Sequence, residues 1–463
     1  IGVVVGSVPG LTGAMVISLT VPLTFGMEAN RALTLLVAMY VGSVSGGLIT
    51  ATLLRIPGTP ASIMTTLDGF PMAKGGRPGR ALGLGIFASL VGGLFSWVVL
   101  ILLAKPLARW STKMGSADMF SLVVLALVLI AVLSRDSMLR GFLAGALGIL
   151  AAIPGLHPAT GQPRLMFGLP EMADGFKLLP VLLGLFAINQ VLRDVLELET
   201  ESERVETRGD RLLLTMREWK GQLKNLIRSS GIGSFVGILP GVGANVGSML
   251  AYAAAKGMSK TPGEFGKGCD DGIVASEAAN NATVGGALVP LIALGIPGSV
   301  IDAVLLGALV IHGLQPGPLL FANNPDVVAT ITNTYLVANF VMFLFMLVAA
   351  RVISNVSRVP KGFLVPVILT FFVVGSYALG NRMFDVWVMI VFGLIGFGLE
   401  RFRIPLAPFV IGFVLAPMAE ENLCAALMLS DGSWLPFVTR PISLVLLLIS
   451  AAMLFRALRR RVE

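Results

Sequence analysis

Charge is what this chain has least of. Only 13% of its 463 residues are Asp, Glu, Lys or Arg, against about 25% in an ordinary soluble domain. A soluble chain of this length would lack the charged surface needed to cover its core. Most of its outside must face something apolar, and lipid is the simplest answer. Cysteine and histidine are scarce as well: Cys269 and Cys424, His157 and His312. Two separated cysteines give neither a disulfide framework nor a metal-ligand spacing, and two distant histidines add no zinc or haem site. The signatures of common enzyme chemistry are missing too. There is no GxGxxG after a strand, no P-loop, no HExxH and no GxSxG elbow. With no recognisable ATP site, energy for vectorial work is expected from an ion gradient, and no cofactor is expected beyond a coupling ion such as Na+.

Apolar sequence fills the space that charge leaves, at 55% of the chain. A spanning helix needs about 20 apolar residues. Runs of that kind recur over Leu82 to Ala104, Met119 to Leu133, Leu178 to Leu192, Val327 to Ala350, Phe363 to Leu379, Val386 to Leu399 and Ile442 to Phe455. With the broken runs they predict an all-α integral membrane protein of about 10–12 segments. Glycine (54) and proline (26) are abundant, which membrane helices tolerate. Spacings such as Gly6 with Gly10, Gly42 with Gly46 and Gly141 with Gly145 allow helices to approach closely. The net charge of +8 does not point to nucleic acid. The basic residues cluster at short connections (Lys74, Arg77, Arg80; Arg351, Arg358, Lys361) and in the tail Arg456, Arg459, Arg460, Arg461. That distribution places the C-terminus in the cytoplasm. The chain opens without Met in an apolar Gly-rich stretch, so the first helix is expected to be incomplete.

The most charged stretch, Glu197 to Arg228, holds seven acidic and seven basic residues. It reads as an extramembrane connection (197–228), partly amphipathic through Leu212, Leu213, Met216, Trp219, Leu223 and Ile227. It divides a first membrane repeat (1–196) from a second repeat with C-terminal helices (229–463). The sequence on its two sides repeats weakly. GSVPGLTGA (Gly6 to Ala14) matches GILPGVGAN (Gly237 to Asn245). Gly46-Gly47 matches Gly285-Gly286, and Ile56-Pro57-Gly58-Thr59 matches Ile296-Pro297-Gly298-Ser299. A loop is expected after each Ile-Pro-Gly, at Asp68 to Pro71 and at His312 to Pro316. Secondary transporters are often built from two inverted repeats whose Gly/Pro-interrupted helices meet near the bilayer midplane. Proline blocks helix continuation, and the helix beginning after the break offers free N–H groups and a positive dipole end, a ready anion site.

The stretch from Gly268 to Ser299 carries Asp270, Asp271, Glu277, Asn280 and Asn281 into an apolar run. Polar groups at membrane depth are costly and mark a cavity, a partner or an ion path. Glu277, Asn280 and Asn281 share one helix face. Three readings stay open: sodium coordination, binding of a substrate carboxylate through the amide N–H groups, or a helix start on the aqueous side. Hydroxyls and amides crowd the breaks at Ser7, Thr12, Ser43, Ser45, Thr59, Ser62, Asn245, Ser248 and Ser299, some of which are expected merely to bond helix carbonyls one turn back. Arg55 either snorkels to an interface or pairs with an anion.

At these residues the chain resembles the large membrane subunit of the tripartite tricarboxylate transporters, the TctA family. The resemblance rests on Pro9 to Met15, Leu53 to Gly76, Gly237 to Ala244, Ser276 to Ser299 and Pro408 to Leu423, and covers nearly the whole chain. Where many members read EG…APEAANNA, this chain has Asp271-Gly272 and Ser276. The resemblance implies a bacterial inner-membrane secondary transporter. It implies a small membrane subunit and a periplasmic substrate-binding protein as partners, organic carboxylates as substrates, and sodium or proton symport. The family's motif positions fall on Pro9, Gly10, Pro57, Gly58, Pro240, Gly241, Glu277, Asn280, Asn281, Pro297 and Gly298.

The expectation is therefore a permease rather than an enzyme, with elevator-like alternating access. Helix ends after the four Pro-Gly steps would enclose a carboxylate, with hydrogen bonds from Thr12, Thr59, Asn245, Asn280, Asn281 and Ser299. Glu277 would couple the cation or hold the Asn pair. A passive anion channel, a membrane-embedded enzyme and a scaffold are the rivals. The enzyme lacks a nucleophile set beside Glu277, Asp270 and Asp271, and the scaffold leaves the matched interruptions unexplained.

Overall fold

A computed structural model describes residues 1–8, 12–55, 57, 59–132, 138–196, 211–353 and 361–459. Pro9, Gly10, Gly58 and residues 197–210 of the charged connection lie outside the described residues.

The fold is that of an all-α membrane protein. In chain order the helices are α1 (Gly2–Gly6), α2 (Gly13–Thr20), α3 (Ala29–Leu54), α4 (Ile63–Lys74), α5 (Pro78–Ser111), α6 (Ser116–Val132), α7 (Met138–Ala152), α8 (Leu178–Leu182) and α9 (Asn189–Leu196). After the charged stretch come α10 (Met216–Ile238), α11 (Gly243–Met258), α12 (Asp270–Leu294), α13 (Val300–Ile311), α14 (Pro318–Asn323), α15 (Pro325–Ile353), α16 (Lys361–Ala378), α17 (Met383–Arg401), α18 (Leu406–Leu429), α19 (Leu435–Thr439) and α20 (Pro441–Arg459). A hairpin pairs β1 (Gly155–Leu156) with β2 (Pro163–Arg164). Among the described residues, α3, α5, α15, α17 and α18 are long and apolar enough to cross a membrane, and seven shorter apolar helices accompany them.

Helix α15 shows why the composition needs so little charge. Val337, Phe340, Val341, Leu344 and Val348 are exposed at helical spacing, while Ile331, Tyr335, Met342 and Met346 are buried. Both stripes are apolar, so the helix packs inward on one face and presents the other to lipid.

At the centre lies α12, in which every residue from Gly272 to Leu294 is buried. It packs against α5, α10 and α11. Helix α3 packs against α1 and α15. Thus the long helix of each half leans on a long helix of the other. The second helix of each half crosses over as well, with α2 against α13 and α11 against the Pro60–Ser62 turn and α4. Small residues let α3 meet α1 and α12 meet α10. A Cβ on Gly46 would lie 2.4 Å from the Val3 carbonyl oxygen, and one on Gly286 2.3 Å from that of Ser234.

The charged connection enters the fold through α10. Thr215 and Glu218 form a capping box at its start, and the helix then runs unbroken through Arg228 to Ile238. Trp219 stacks on Phe87 of α5 with ring centroids 3.5 Å apart, and Leu226 packs with Leu84, Ala88 and Ile273. Leu213, Met216, Leu223 and Ile227 stay exposed. The segment expected as a loop at Asp68 to Pro71 is helical, the middle of α4. Asp68 explains why. Its buried carboxylate accepts the N–H groups of Gly266, Gly268 and Cys269 at 2.8–2.9 Å and the Tyr252 hydroxyl at 2.7 Å. It acts as a cap for the start of α12 rather than as a turn residue.

Candidate functional site

The interruptions fall where the Pro-Gly steps stand. Helix α12 closes with Gly295 in the left-handed region at φ 71°, donating to the Leu291 carbonyl, while Ile296 donates to Pro290. This Schellman-like ending hands over to buried Pro297 and Gly298. Ser299 then caps α13, its side chain accepting from the Asp302 N–H. The step between α10 and α11 meets it directly: the Gly241 N–H, at φ 74°, donates to the Gly298 carbonyl at 2.9 Å. The matching end of α3 is Arg55, also left-handed at φ 58°, where glycine is the usual occupant. Beyond half-buried Pro57, the buried Thr59 N–H donates to Ser62 Oγ at 3.1 Å. Thr12 caps α2, accepting from the Met15 N–H.

The polar residues of α12 separate into two groups. Asp270 and Asp271 sit in its first turn. Asp270 is bound by Arg80, which also bonds Glu218. Asp271 accepts from Gln222 at 2.6 Å, and its carbonyl from Asn225. Burdened with these partners, they tie α5 and α10 to α12. The Arg80 guanidinium and then the Thr215 backbone hold Glu218, in the first turn of α10, at a pKa of about 2. Two turns deeper lies the second group. Glu277 is fully buried and accepts from Thr65 Oγ1 at 2.5 Å and Ser89 Oγ at 3.3 Å. Asn281 Oδ1 accepts from Ser45 Oγ at 2.6 Å, and its Nδ2 donates to the Glu277 carbonyl. The Tyr335 hydroxyl reaches the Asn281 carbonyl at 3.3 Å and Ser96 Oγ at 2.8 Å. Asn280 is fully buried; neither Oδ1 nor Nδ2 makes a well-formed hydrogen bond among the described residues, and its amide lies within electrostatic reach of the Glu277 carboxyl.

That contrast has chemical content. A buried carboxylate whose partners among the described residues are hydroxyls has no charge to balance it, and a buried charge is costly unless paired. A buried amide with nothing to bond loses about 1–3 kcal/mol for each unsatisfied group. Both sit on one face of α12, one turn apart.

The remaining expected positions are distributed around this core. Asn245 is half-buried in the first turn of α11, and Ser248 bonds the Ser276 carbonyl. Pro240 is half-buried in the step itself. Ser7 and Ser43 bond carbonyls one turn back. Arg55 is exposed and places Cζ 5.8 Å from the Phe70 ring centroid, a cation–π distance. The sequence reading missed Thr65, Ser89, Tyr335, Tyr40 and Asp302. Asp302 had a visible signal: it is the lone acid in the apolar run Val300 to Ile311. It is fully buried, and Ser299 Oγ donates to its Oδ2 at 2.6 Å. Among the described residues there is no group of three or more His, Cys, Asp and Glu fit to hold a metal.

Comparison with known proteins accounts for nearly the whole chain. The profile of the family described as "Tripartite tricarboxylate transporter TctA family" matches residues 1–411. Two curated relatives are from Agrobacterium vitis. The "Uncharacterized 52.8 kDa protein in TAR-I ttuC' 3'region" is 33% identical over 458 residues, which cover 99% of this chain and 91% of the relative. The "Uncharacterized protein in TAR-II ttuC' 3'region" is 36% identical over 215 residues, 46% of this chain and 89% of the relative. No solved structure matches.

Proposed function

This chain belongs to the tripartite tricarboxylate transporter TctA family, and from that premise we propose that it is the permease subunit of a secondary transporter importing organic di- or tricarboxylates by symport with Na+ or H+. The observation that carries this reading is the pair of buried groups on α12: Glu277, bonded by hydroxyls, and beside it Asn280, whose amide makes no well-formed hydrogen bond among the described residues. The first suits a cation that neutralises it. The second suits a carboxylate oxygen accepting from Nδ2. Coupling requires that each ligand change the affinity for the other, and groups one turn apart on a helix allow that.

The interrupted helices supply the rest. The positive dipole ends at the starts of α2, α11 and α13 favour an anion. Thr12, Thr59, Asn245, Asn281 and Ser299 add hydrogen-bonding groups around it. The matched order of elements and the crossed contacts of α2 and α11 support two inverted repeats, 1–196 and 229–463, joined through 197–228. Transport then proceeds by moving one unit against the other, in an elevator-like slide. The partners are a small membrane subunit and a periplasmic binding protein, in a bacterial inner membrane.

The test is uptake of labelled citrate and related acids into proteoliposomes carrying this chain and its small partner. The binding protein is supplied outside, and a sodium gradient, a proton gradient or neither is imposed. Accumulation above equilibrium under one gradient supports symport and identifies the ion. Uptake that equilibrates without concentrating would replace the proposal with a passive anion channel.

A further inference from the structure

Asp302 is the feature that the matched halves do not share. The first-half break presents Thr59 and, three residues on, Ser62. The second presents Ser299 and, three residues on, Asp302. The first pair is closed on itself. Ser62 Oγ donates to the Thr59 carbonyl at 2.8 Å and accepts from its N–H at 3.1 Å. The second pair is not. Asp302 Oδ2 accepts from Ser299 Oγ; Oδ1 is buried with no well-formed hydrogen bond among the described residues, and the Tyr40 hydroxyl lies within electrostatic reach of the carboxyl. The Tyr40 hydroxyl from α3 stands 3.5 Å from Ser299 Oγ. A carboxylate, a serine hydroxyl and a phenol therefore converge from two halves of the chain.

We propose that Asp302, Ser299 and Tyr40 form a second cation site, distinct from Glu277, which takes one monovalent cation, Na+ or H+, in each transport cycle. This rests on the symport reading above. The argument is one of charge. Helices packed against α13 are α2, α3, α8, α12 and α18. Neither α2 nor α8 carries a titratable group within the helix, and Lys177, the N-cap of α8, places its Nζ beside Gly380. Helix α3 brings Tyr40, its Arg31 being exposed more than two turns away. Helix α12 brings only acids, Asp270, Asp271 and Glu277. Helix α18 brings Glu420, Glu421 and Cys424, of which Glu420 is held by Arg164. On α13 itself the next titratable group is its C-cap His312, bonded to Thr24. No basic side chain from these helices balances Asp302. The N-terminus of α13 offsets only about half a charge. Hard monovalent cations favour oxygen donors, and a proton would serve the same neutralising role on Oδ1. The crossing of a lipid-enclosed carboxylate is costly until it is neutralised, which is how such a site ties movement to cation occupancy.

The experiment uses the purified full chain in detergent: wild type, Asp302→Asn, Asp302→Ser and Glu277→Gln. Asp302→Ser places the hydroxyl of the first break at the second, so the cap of α13 is kept. Thermal midpoints are titrated with NaCl against choline chloride at constant ionic strength, and separately with pH. The wild type is expected to gain stability with Na+ if sodium is the ion, or on acidification if it is the proton. Both Asp302 variants are expected to lose part of that response while Glu277→Gln retains it in part. In proteoliposomes the Asp302 variants should move one fewer charge per substrate. A wild type indifferent to Na+ and pH, or Asp302 variants that respond as wild type does, would overturn the site. Failure of gradient-driven uptake by the wild type would instead remove the symport reading, since the titrations do not depend on transport.

Discussion

Ser45 and Asn281 join the two halves of the chain at its centre: the serine hydroxyl on α3 donates to the amide oxygen on α12 across 2.6 Å. The bond is asymmetric in what its loss leaves behind. Ser45 also stands 3.1 Å from the Val41 carbonyl of its own helix, so it has a second acceptor when Asn281 is shortened. Among the described residues Asn281 Oδ1 has no other hydrogen-bond donor in place of Ser45. Ser45→Ala leaves a buried acceptor unpaired and is expected to cost about 1–3 kcal/mol; Asn281→Ala removes this bond together with the one from Nδ2 to the Glu277 carbonyl and should cost at least as much. Unfolding of the purified variants measures both, and a Ser45→Ala variant as stable as wild type would refute the assignment.

Close packing at Gly46 and Gly286 predicts a matched pair of defects. In each case an added methyl meets a backbone oxygen rather than a flexible side chain. Gly46→Ala and Gly286→Ala should each destabilise by about 1–3 kcal/mol. The yield of monodisperse protein and the unfolding midpoint report this. A methyl accepted at either position without loss would mean that the helices sit farther apart.

Asp68 accepts four donors from beyond its own helix. Asp68→Ala strands three backbone N–H groups and the Tyr252 hydroxyl, and is expected to cost about 3 kcal/mol or more. Asp68→Asn keeps one acceptor oxygen toward the N–H groups, and Tyr252 can turn to accept from the new amide, so its cost should be smaller. Equal stability of the two variants would contradict the capping role.

Arg55 separates backbone from charge. Its left-handed conformation suits glycine, which stands at the matching Gly295. Arg55→Gly therefore preserves the break and relieves about 1 kcal/mol of strain, against loss of the contact with Phe70. The expected result is a folded protein with wild-type uptake. A fall in substrate affinity with stability intact would place the guanidinium on the anion.

Much of this architecture is legible in the sequence, and the parts that are not share a cause. Pro-Gly steps announce the breaks at Gly241 and Gly298 because proline ends a helix whatever surrounds it. The i, i+3, i+4 spacing of Glu277, Asn280 and Asn281 places them on one face. Helices α3 and α12 are harder to read, since Gly, Ser, Thr and Asn dilute their hydropathy just where they pack most tightly. Asp68-Gly69-Phe70-Pro71 has turn composition, yet tertiary partners hold it in α4. Thr65, Ser89 and Tyr335 come from helices distant in sequence, and no local pattern says which neighbour a face will meet. Asp302 lies three residues beyond the Ile-Pro-Gly-Ser break, inside an apolar run, and its partner Tyr40 comes from a helix distant in sequence.

Asn280 tests the central claim most directly. It is fully buried, sits one turn from Glu277, and makes no well-formed hydrogen bond among the described residues, its amide only approaching the Glu277 carboxyl, so removing it costs the fold little. The decisive measurement is gradient-driven uptake by the Asn280→Ala complex in proteoliposomes, alongside its unfolding midpoint. Loss of uptake with stability equal to or above wild type is the predicted result. Uptake at the wild-type rate would contradict the placement of the transport site on this face of α12.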